Sequence, residues 1–229
     1  MFNFQRSAAG LALSLATLFS ASAQAETIVS DLQGWVRVDG RGNGAAQFNN
    51  TYTGYESGYS YNTWANFDLA GLSGQVTSAQ LELHTGVWLG NEGRSHELSA
   101  HDVSTSLQDL MTQNLTAENF TDLQSGHAYA SAVFAENETR VLDLSAEALA
   151  DLTAALGGTF RIGFTNLSYP NGPESVGIYI NGDGWKSGSS YYVAPRLTLQ
   201  ISSVPEPSVT MMGGLGLLAL AIGLRRRQA

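Results

Sequence analysis

The 229-residue chain contains no cysteine and only 14% charged residues, and its single lysine is Lys186. Without cysteine, the protein can form neither a disulfide framework nor a thiolate metal site. Lys and Arg number 11 against 20 Asp and Glu, and the net charge of −9 argues against a nucleic-acid partner. A disordered chain would carry more charge and fewer aromatic residues. With 25 glycines, 9 tyrosines, 9 phenylalanines and 4 tryptophans, the composition is typical of a folded, all-β chain.

The first 25 residues have the pattern of a secretory signal peptide. Arg6 precedes an apolar stretch over residues 8–19, and the small residues that follow end in Ala23-Gln24-Ala25. Ala23 and Ala25 form an A-x-A cleavage site, so we expect the mature chain to begin at Glu26. A buried N-terminal helix is the alternative, but the order of charge, apolar run and small residues favours export.

The C-terminus has three features in series: Pro205-Glu206-Pro207, an apolar run over residues 209–224, and the cluster Arg225, Arg226 and Arg227. The 16 residues of the run would form a helix about 24 Å long, which is short but sufficient for a thinned bilayer. Because cationic segments resist export, the arginines would stay in the cytoplasm and leave the rest of the chain outside. The sequence therefore predicts a single C-terminal transmembrane helix.

This tail resembles the PEP-CTERM sorting signal of Gram-negative bacteria over residues 204–229. The resemblance implies that an integral-membrane exosortase recognises and cleaves the tail. The chain is then an inner-membrane-anchored precursor, held transiently by its C-terminal helix, before it reaches the cell surface or extracellular matrix. Proteins of this family are associated with extracellular polysaccharide and biofilm. A permanent single-span anchor is the alternative, and only the Pro-Glu-Pro motif separates the two.

Residues 26–203 remain as one domain of 178 residues, with 7 basic and 19 acidic residues and a net charge of −12. Apolar and polar side chains alternate through most of it, which predicts β-strands. Ser145 can cap a short helix over 146–156, and a further helical turn or two is expected within 107–123. We predict an all-β, jelly-roll-like antiparallel β-sandwich with one short helix. The predicted strands span residues 34–38, 63–69, 76–88, 97–103, 127–134, 139–144, 160–166, 176–180 and 197–201.

Parts of this domain resemble DNRLRE-type domains. The segments FDLAGL at 67–72 and VTSAQLEL at 76–83 resemble the early strand pair of that family. Leu142-Asp143-Leu144-Ser145, with the helix and strand that follow, resembles a later segment, and Ala194-Pro195-Arg196-Leu197 resembles the closing strand. The resemblance implies a jelly-roll sandwich of the carbohydrate-binding-module kind, which is often attached to polysaccharide-active or surface proteins.

Aromatic residues cluster in two places beside amides and carboxylates, a combination that can hold sugars. In residues 48–64 the aromatic residues stand among polar ones that include Asn62, and Gly54 and Gly58 predict a mobile loop. Trp64 falls on the polar face of the next strand, where we expect it to be exposed. The second group lies in a Gly-rich loop before the last strand. The alternative is that these rings fill the edges of the sandwich. The candidate ligand-binding residues are Tyr52, Tyr55, Tyr59, Tyr61, Trp64, Trp185 and Tyr191.

Two loops place oxygen ligands at alternate positions, as a calcium loop requires. One contains Asp39 and Asn43, and the other contains Asn181 and Asp183. Neither completes the motif, because Arg41 stands at a ligand position and no glutamate closes either loop at the right distance. A structural calcium ion (Ca2+) is therefore left open as a cofactor.

The sequence has no Gly-x-Ser-x-Gly elbow, no His-Glu-x-x-His motif and no phosphate-binding glycine loop. We therefore expect a non-catalytic exported protein that associates with extracellular polysaccharide. Two alternatives stay open. One is a structural or adhesive surface protein that binds other proteins, and the other is a polysaccharide lyase or hydrolase.

Overall fold

Antiparallel β-strands make up most of residues 23–44, 51–86, 93–169, 175–180 and 193–203, which the computed structural model describes. The strands are β1 (Ala23–Val29), β2 (Leu32–Arg37), β3 (Tyr52–Glu56), β4 (Tyr59–Asp68), β5 (Gln75–His84), β6 (His96–Asp102), β7 (Ala128–Phe134), β8 (Thr139–Asp143), β9 (Thr159–Asn166), β10 (Val176–Tyr179) and β11 (Arg196–Ser202). The helices are α1 (Leu107–Leu110), α2 (Ala117–Asp122) and α3 (Ala146–Ala155). Each strand predicted from side-chain alternation is present, whereas β1 and β3 were not predicted.

The chain divides into two units. Residues Gln24–Ile201 form one of them, and the other consists of the two chain ends, nearly all of which lie outside the described residues. The predicted membrane span at 209–224 belongs to that undescribed part. None of the helices in the described ranges is long and apolar enough to cross a membrane.

The strands form two sheets that share one hydrophobic core. The smaller sheet has the order β1-β11-β5-β8, and the larger has β10-β3-β4-β9-β6-β7 with β2 paired to β4. In the larger sheet β4 is antiparallel to β2, β3 and β9, and β6 is antiparallel to β7 and β9. The core combines Leu81 and Leu83 of β5 and Leu199 of β11 with Phe160 and Ile162 of β9. The predicted all-β, sandwich-like fold is confirmed.

A tight hairpin replaces the mobile loop that was predicted before β4. Only Ser57 and Gly58 separate β3 from β4, and both have positive φ, +50° and +89°. Two residues with positive φ form the type I′ turn that matches the twist of a hairpin. Gly54 allows β10 to approach closely, since a Cβ there would lie 2.5 Å from Gly177 Cα. The loop prediction is wrong for residues 52–56 because these glycines serve strand pairing.

The helices confirm the expected positions. Ser145 caps α3 by accepting a hydrogen bond from the Ala148 amide at 3.3 Å, and Gly157 follows the helix with φ +81°. The helical turns expected within 107–123 are α1 and α2, and Thr116 and Asn119 form a capping box at the start of α2. Residues 103–124, here called the cap, cover part of the outer face of the larger sheet.

The cap explains why Trp64 is buried, which corrects the expectation that it is exposed. Side-chain alternation does place Trp64 on the face of β4 opposite the main core. That face is not open to solvent at this point, because the cap encloses the indole and leaves it 0% exposed. The second hydrophobic cluster consists of Val36, Trp64, Val103, Leu110, Phe120 and Leu123.

Glycines on both neighbouring strands make room for this packing. Trp64 pairs across β2 with Gly34 and across β9 with Gly163. A Cβ on Gly34 would come within 2.9 Å of the indole ring, and one on Gly163 would lie 2.8 Å from Leu123 Cα. The cap backbone therefore lies directly against β9.

Candidate functional site: an uncharged pocket beside the cap

A cavity of about 250 Å³ lies on the larger sheet beside the cap. It is bordered by the ends of β4 and β9, by residues of the cap and by the segment that follows β9. We call it the amide pocket. Its lining residues are Val38, Gly54, Ser60, Tyr61, Asn62, Phe120, Gln124, Thr165, Asn166 and Tyr169. No Asp, Glu, Lys, Arg or His is among these described lining residues, whose polar side chains are amides, hydroxyls and two tyrosines.

Two amide side chains form the centre of the pocket. Asn62 is only 2% exposed, and its Nδ2 donates to the backbone oxygen of Phe120 and to Oε1 of Gln124, both at 3.1 Å. These bonds fix the orientation of both amides, with Gln124 itself exposed. An asparagine and a glutamine each carry two donors and one acceptor oxygen. The geometry therefore leaves Oδ1 of Asn62 and Nε2 of Gln124 for a ligand.

The wall formed by Asn166 and Tyr169 is held from behind by a buried histidine. Asn166 accepts from the Ser168 amide at 3.1 Å and donates through Nδ2 to Nδ1 of His96 at 2.9 Å. The His96 ring packs edge-on against Tyr169 with centroids 5.2 Å apart. Burial, aided by the charge of Arg94, lowers the pKa of His96 to about 4, so the ring is neutral near pH 7.

The tyrosines predicted as ligand-binding residues lie on different faces. Tyr55 pairs with Ser60 and so shares the face that carries Asn62. Tyr61 borders the pocket, but its ring packs edge-on against Trp35 at 5.1 Å and Tyr52 at 5.6 Å, on the opposite face. The sequence placed these residues in one segment, whereas strand alternation separates their rings.

Tyr55 and the other predicted aromatic residues that the structure describes, apart from Tyr61, are not among the lining residues. Tyr52 is 1% exposed and its hydroxyl donates to the Tyr55 oxygen at 2.8 Å, while burial raises its pKa above the usual range. Tyr59 is exposed and lies under the Arg37 guanidinium, 3.9 Å from the ring centroid. Trp64 is enclosed by the cap and has no ring face to offer a ligand. Trp185 and Tyr191 lie outside the described residues.

The predicted calcium ligands at 39 and 43 have protein partners instead. Asp39 accepts from Arg37 Nε at 2.7 Å and Nη2 at 2.5 Å, and this partner lowers the pKa of the carboxyl. Asn43 Oδ1 accepts from the Trp35 amide at 2.8 Å. Within the described ranges no group of three or more His, Asp and Glu could hold a metal ion. Asn181 and Asp183 lie outside those ranges.

The processing residues lie at the margins of the described chain. Ala23 begins β1 and Ala25 lies exposed within it, so cleavage after Ala25 would leave Glu26–Val29 to form the strand. Thr27 in that remainder hydrogen-bonds through its hydroxyl to Thr198 at 3.2 Å. The sorting residues Pro205, Glu206, Pro207, Arg225, Arg226 and Arg227 lie outside the described residues.

Sequence reasoning found Asn62 and Tyr61 but missed the rest of the pocket. Thr165 and Asn166 end β9, Tyr169 lies three residues beyond it, and Gln124 ends the cap. An amide and an aromatic residue at the end of a predicted strand were the available signal. What the sequence does not show is that the cap stops beside Asn62.

The fold and the pocket define an all-β, sandwich-like protein with an amide-lined, uncharged cavity on its larger sheet. In comparisons with known proteins, no family model and no curated protein matches the chain.

Proposed function

We propose that this is an exported, non-catalytic protein of the bacterial cell surface or extracellular matrix that holds extracellular polysaccharide in the amide pocket. The amide pocket itself is the observation that supports this function. Sugars present hydroxyls and flat apolar ring faces, which amides, hydroxyls and aromatic rings recognise. Pockets for drug-sized ligands have volumes of about 300–1,000 Å³. A cavity of about 250 Å³ suits one sugar ring of a longer chain.

The lining supports binding rather than bond cleavage. Glycoside hydrolysis generally uses two carboxyl groups on either side of the scissile bond. The described lining of the amide pocket contains no carboxylate. A polysaccharide lyase or hydrolase is therefore the less favoured function for this pocket.

The proposed export of the protein depends on its two chain ends. We propose that residues 1–25 are removed as a signal peptide and that 204–229 act as a PEP-CTERM sorting signal. The precursor is then anchored transiently in the inner membrane until an exosortase cleaves the tail. The two-sheet architecture agrees with a jelly-roll module of the DNRLRE type, and we propose that topology for residues 26–203. Calcium is not part of the proposal for 39–43, because the oxygens of Asp39 and Asn43 already have donors.

A structural or adhesive protein that binds other proteins is the second candidate. It is favoured by two edge strands, β7 and β8, that display apolar side chains. Val133 is 49% exposed and Val141 is 54% exposed. Exposed edges with apolar residues can pair with strands of another chain.

Sedimentation with insoluble matrix polysaccharide tests the proposed function. The full-length chain is mixed in detergent with matrix from the producing bacterium, with or without prior proteinase treatment of that matrix. We expect the protein to sediment with untreated matrix and with proteinase-treated matrix. Loss of sedimentation after proteinase treatment would indicate a protein partner. Gln124→Ala should weaken binding roughly fivefold, since it removes a hydrogen bond worth about 1 kcal/mol. The control is Gln108→Ala, at an exposed glutamine of α1 away from the pocket.

A further inference from the structure

We propose that the amide pocket selects an uncharged sugar unit and rejects uronates and other anionic sugars, an inference that rests on the proposed function. The partner is then a neutral polysaccharide, or the neutral units of a mixed one. Two observations carry this selectivity: the described lining residues lack charge, and neither Arg37 nor Arg94 is among them.

The described lining residues offer no counter-charge to an anion. Their polar side chains include the amides of Asn62 and Gln124, the hydroxyls of Ser60 and Thr165, and Tyr169, while the Asn166 amide is held by His96 and Ser168. Proteins recognise carboxylates with charge-assisted bonds, most often from arginine. A carboxylate that loses its water without such a partner is destabilised, because burial disfavours the charged form. Neutral hydroxyls carry no comparable cost.

The two nearest arginines do not line the pocket. Arg37 precedes Val38, but its guanidinium is paired with Asp39 at 2.5 and 2.7 Å and lies over Tyr59. Arg94 lies 5.9 Å from the centroid of the Tyr169 ring and so contacts the pocket wall rather than its interior. Neither is among the lining residues.

One carboxylate lies in the cap close along the chain to a residue that lines the pocket. Asp122 precedes Gln124 by two residues. Asp122 accepts hydrogen bonds from Ser104 and Thr105, which lower its pKa against the opposing effect of burial and keep it ionised. At physiological salt such charges act over about 8 Å. An anionic unit would therefore lose its water inside the pocket with no charged partner among the described lining residues.

Binding to neutral and acidic fractions of the matrix polysaccharide can be compared, which tests selectivity apart from binding as such. Matrix polysaccharide of the producing bacterium is divided by anion exchange into neutral and acidic fractions, and polygalacturonate is added as a defined polyuronate. Affinity electrophoresis of the full-length chain in detergent measures the dissociation constant for each probe. We expect the neutral fraction to bind at least tenfold more tightly than either anionic probe, and 0.5 M salt to leave that preference in place. Salt screens the charges around the pocket, but it does not supply a counter-charge inside.

A single added cation should reverse part of this preference. Gln124→Lys places a positive charge at the exposed side of the pocket, and we expect at least a tenfold gain for polygalacturonate. Gln108→Lys adds the same charge to α1 and should give no such gain. Equal or tighter binding of the acidic probes by the unmodified chain would overturn the selectivity while leaving the proposed function intact. If no polysaccharide fraction binds, the proposed function fails and this inference falls with it.

Discussion

His96 is a fully buried histidine that supports the wall of the amide pocket from behind. Its Nδ1 accepts from Asn166 Nδ2, and the Asn166 oxygen is held by the Ser168 amide. Protonation of Nδ1 would set one N–H group against another, because the asparagine cannot turn without losing its second bond. This geometry gives a structural reason, beyond burial, for a neutral ring.

The stability of the protein should therefore fall on mild acidification. The pKa of His96 is about 4 in the folded chain and 6.5 in its ordinary state. The unfolded chain binds the extra proton between these values, so stability is retained above about pH 6.5 and is lost as the pH falls towards 4. The loss is at most about 1.4 kcal/mol per pH unit for this group. Urea unfolding of the full-length chain from pH 7.5 to 4.5 measures the slope.

The variant His96→Gln isolates this contribution. It removes the titrating ring and should flatten the slope between pH 6.5 and 4.5. Some slope should remain, because burial also lowers the pKa of His101. An unchanged slope in the variant would show that His96 does not set the pH dependence.

Single-residue patterns in the sequence predicted which face a side chain occupies but not what covers that face. Alternation placed Trp64 opposite Phe67 correctly, and the error lay in treating that face as solvent. Trp64 is covered by the cap, which lies about forty residues or more further along the chain. Such long-range packing has no local signal in one sequence. For the same reason Asn62 was recognisable as a polar neighbour of tyrosines, whereas its partner Gln124 was not.

At the scale of elements, the seating of the cap on β9 depends on Gly163. We expect Gly163→Ala to lower the free energy of unfolding by about 1–3 kcal/mol, because the new Cβ would lie 2.8 Å from Leu123 Cα. The φ of Gly163 is not in the left-handed region, so the loss of stability would come from steric overlap of the new Cβ with Leu123. Chemical unfolding measures the change, and exposure of Trp64 should shift tryptophan emission to longer wavelength.

Gly158→Ala is the matched control for that substitution. Gly158 has no left-handed φ either, and a Cβ there would meet Ala155 O at an ordinary 3.5 Å. We expect little change or a slight gain in stability. Equal losses in the two variants would contradict close packing of the cap on β9.

Regular elements were predictable where local chemistry alone defines them. α3 has a serine cap and a following glycine, and apolar residues alternate with other residues along β9, β11 and β5 from Ala79 onward. Strand β3 was missed because Gly54 and the Ser57-Gly58 turn are also typical of loops. Strand β1 was missed because Ala23 and Ala25 match a cleavage site.

For the whole molecule, the sorting prediction concerns residues outside the described ranges. Replacing Pro205, Glu206 and Pro207 by alanine should leave the chain uncleaved in the inner membrane, because the exosortase would lose its recognition motif. Immunoblots of inner-membrane and extracellular fractions measure the outcome. Ala substitution of Ser208, which adjoins the motif, serves as the control and should be processed normally. Unchanged release of the triple variant would favour a different route or a permanent anchor.

Occupation of the amide pocket by polysaccharide can be measured directly by hydroxyl-radical footprinting with mass spectrometry. The full-length chain is oxidised with and without saturating neutral matrix polysaccharide, and the oxidation of individual side chains is compared. The account predicts that Tyr169 becomes protected, while the exposed Val133 and Val141 on the edge strands are oxidised as before. Bound polysaccharide that leaves Tyr169 unprotected would contradict the account and place the binding surface elsewhere.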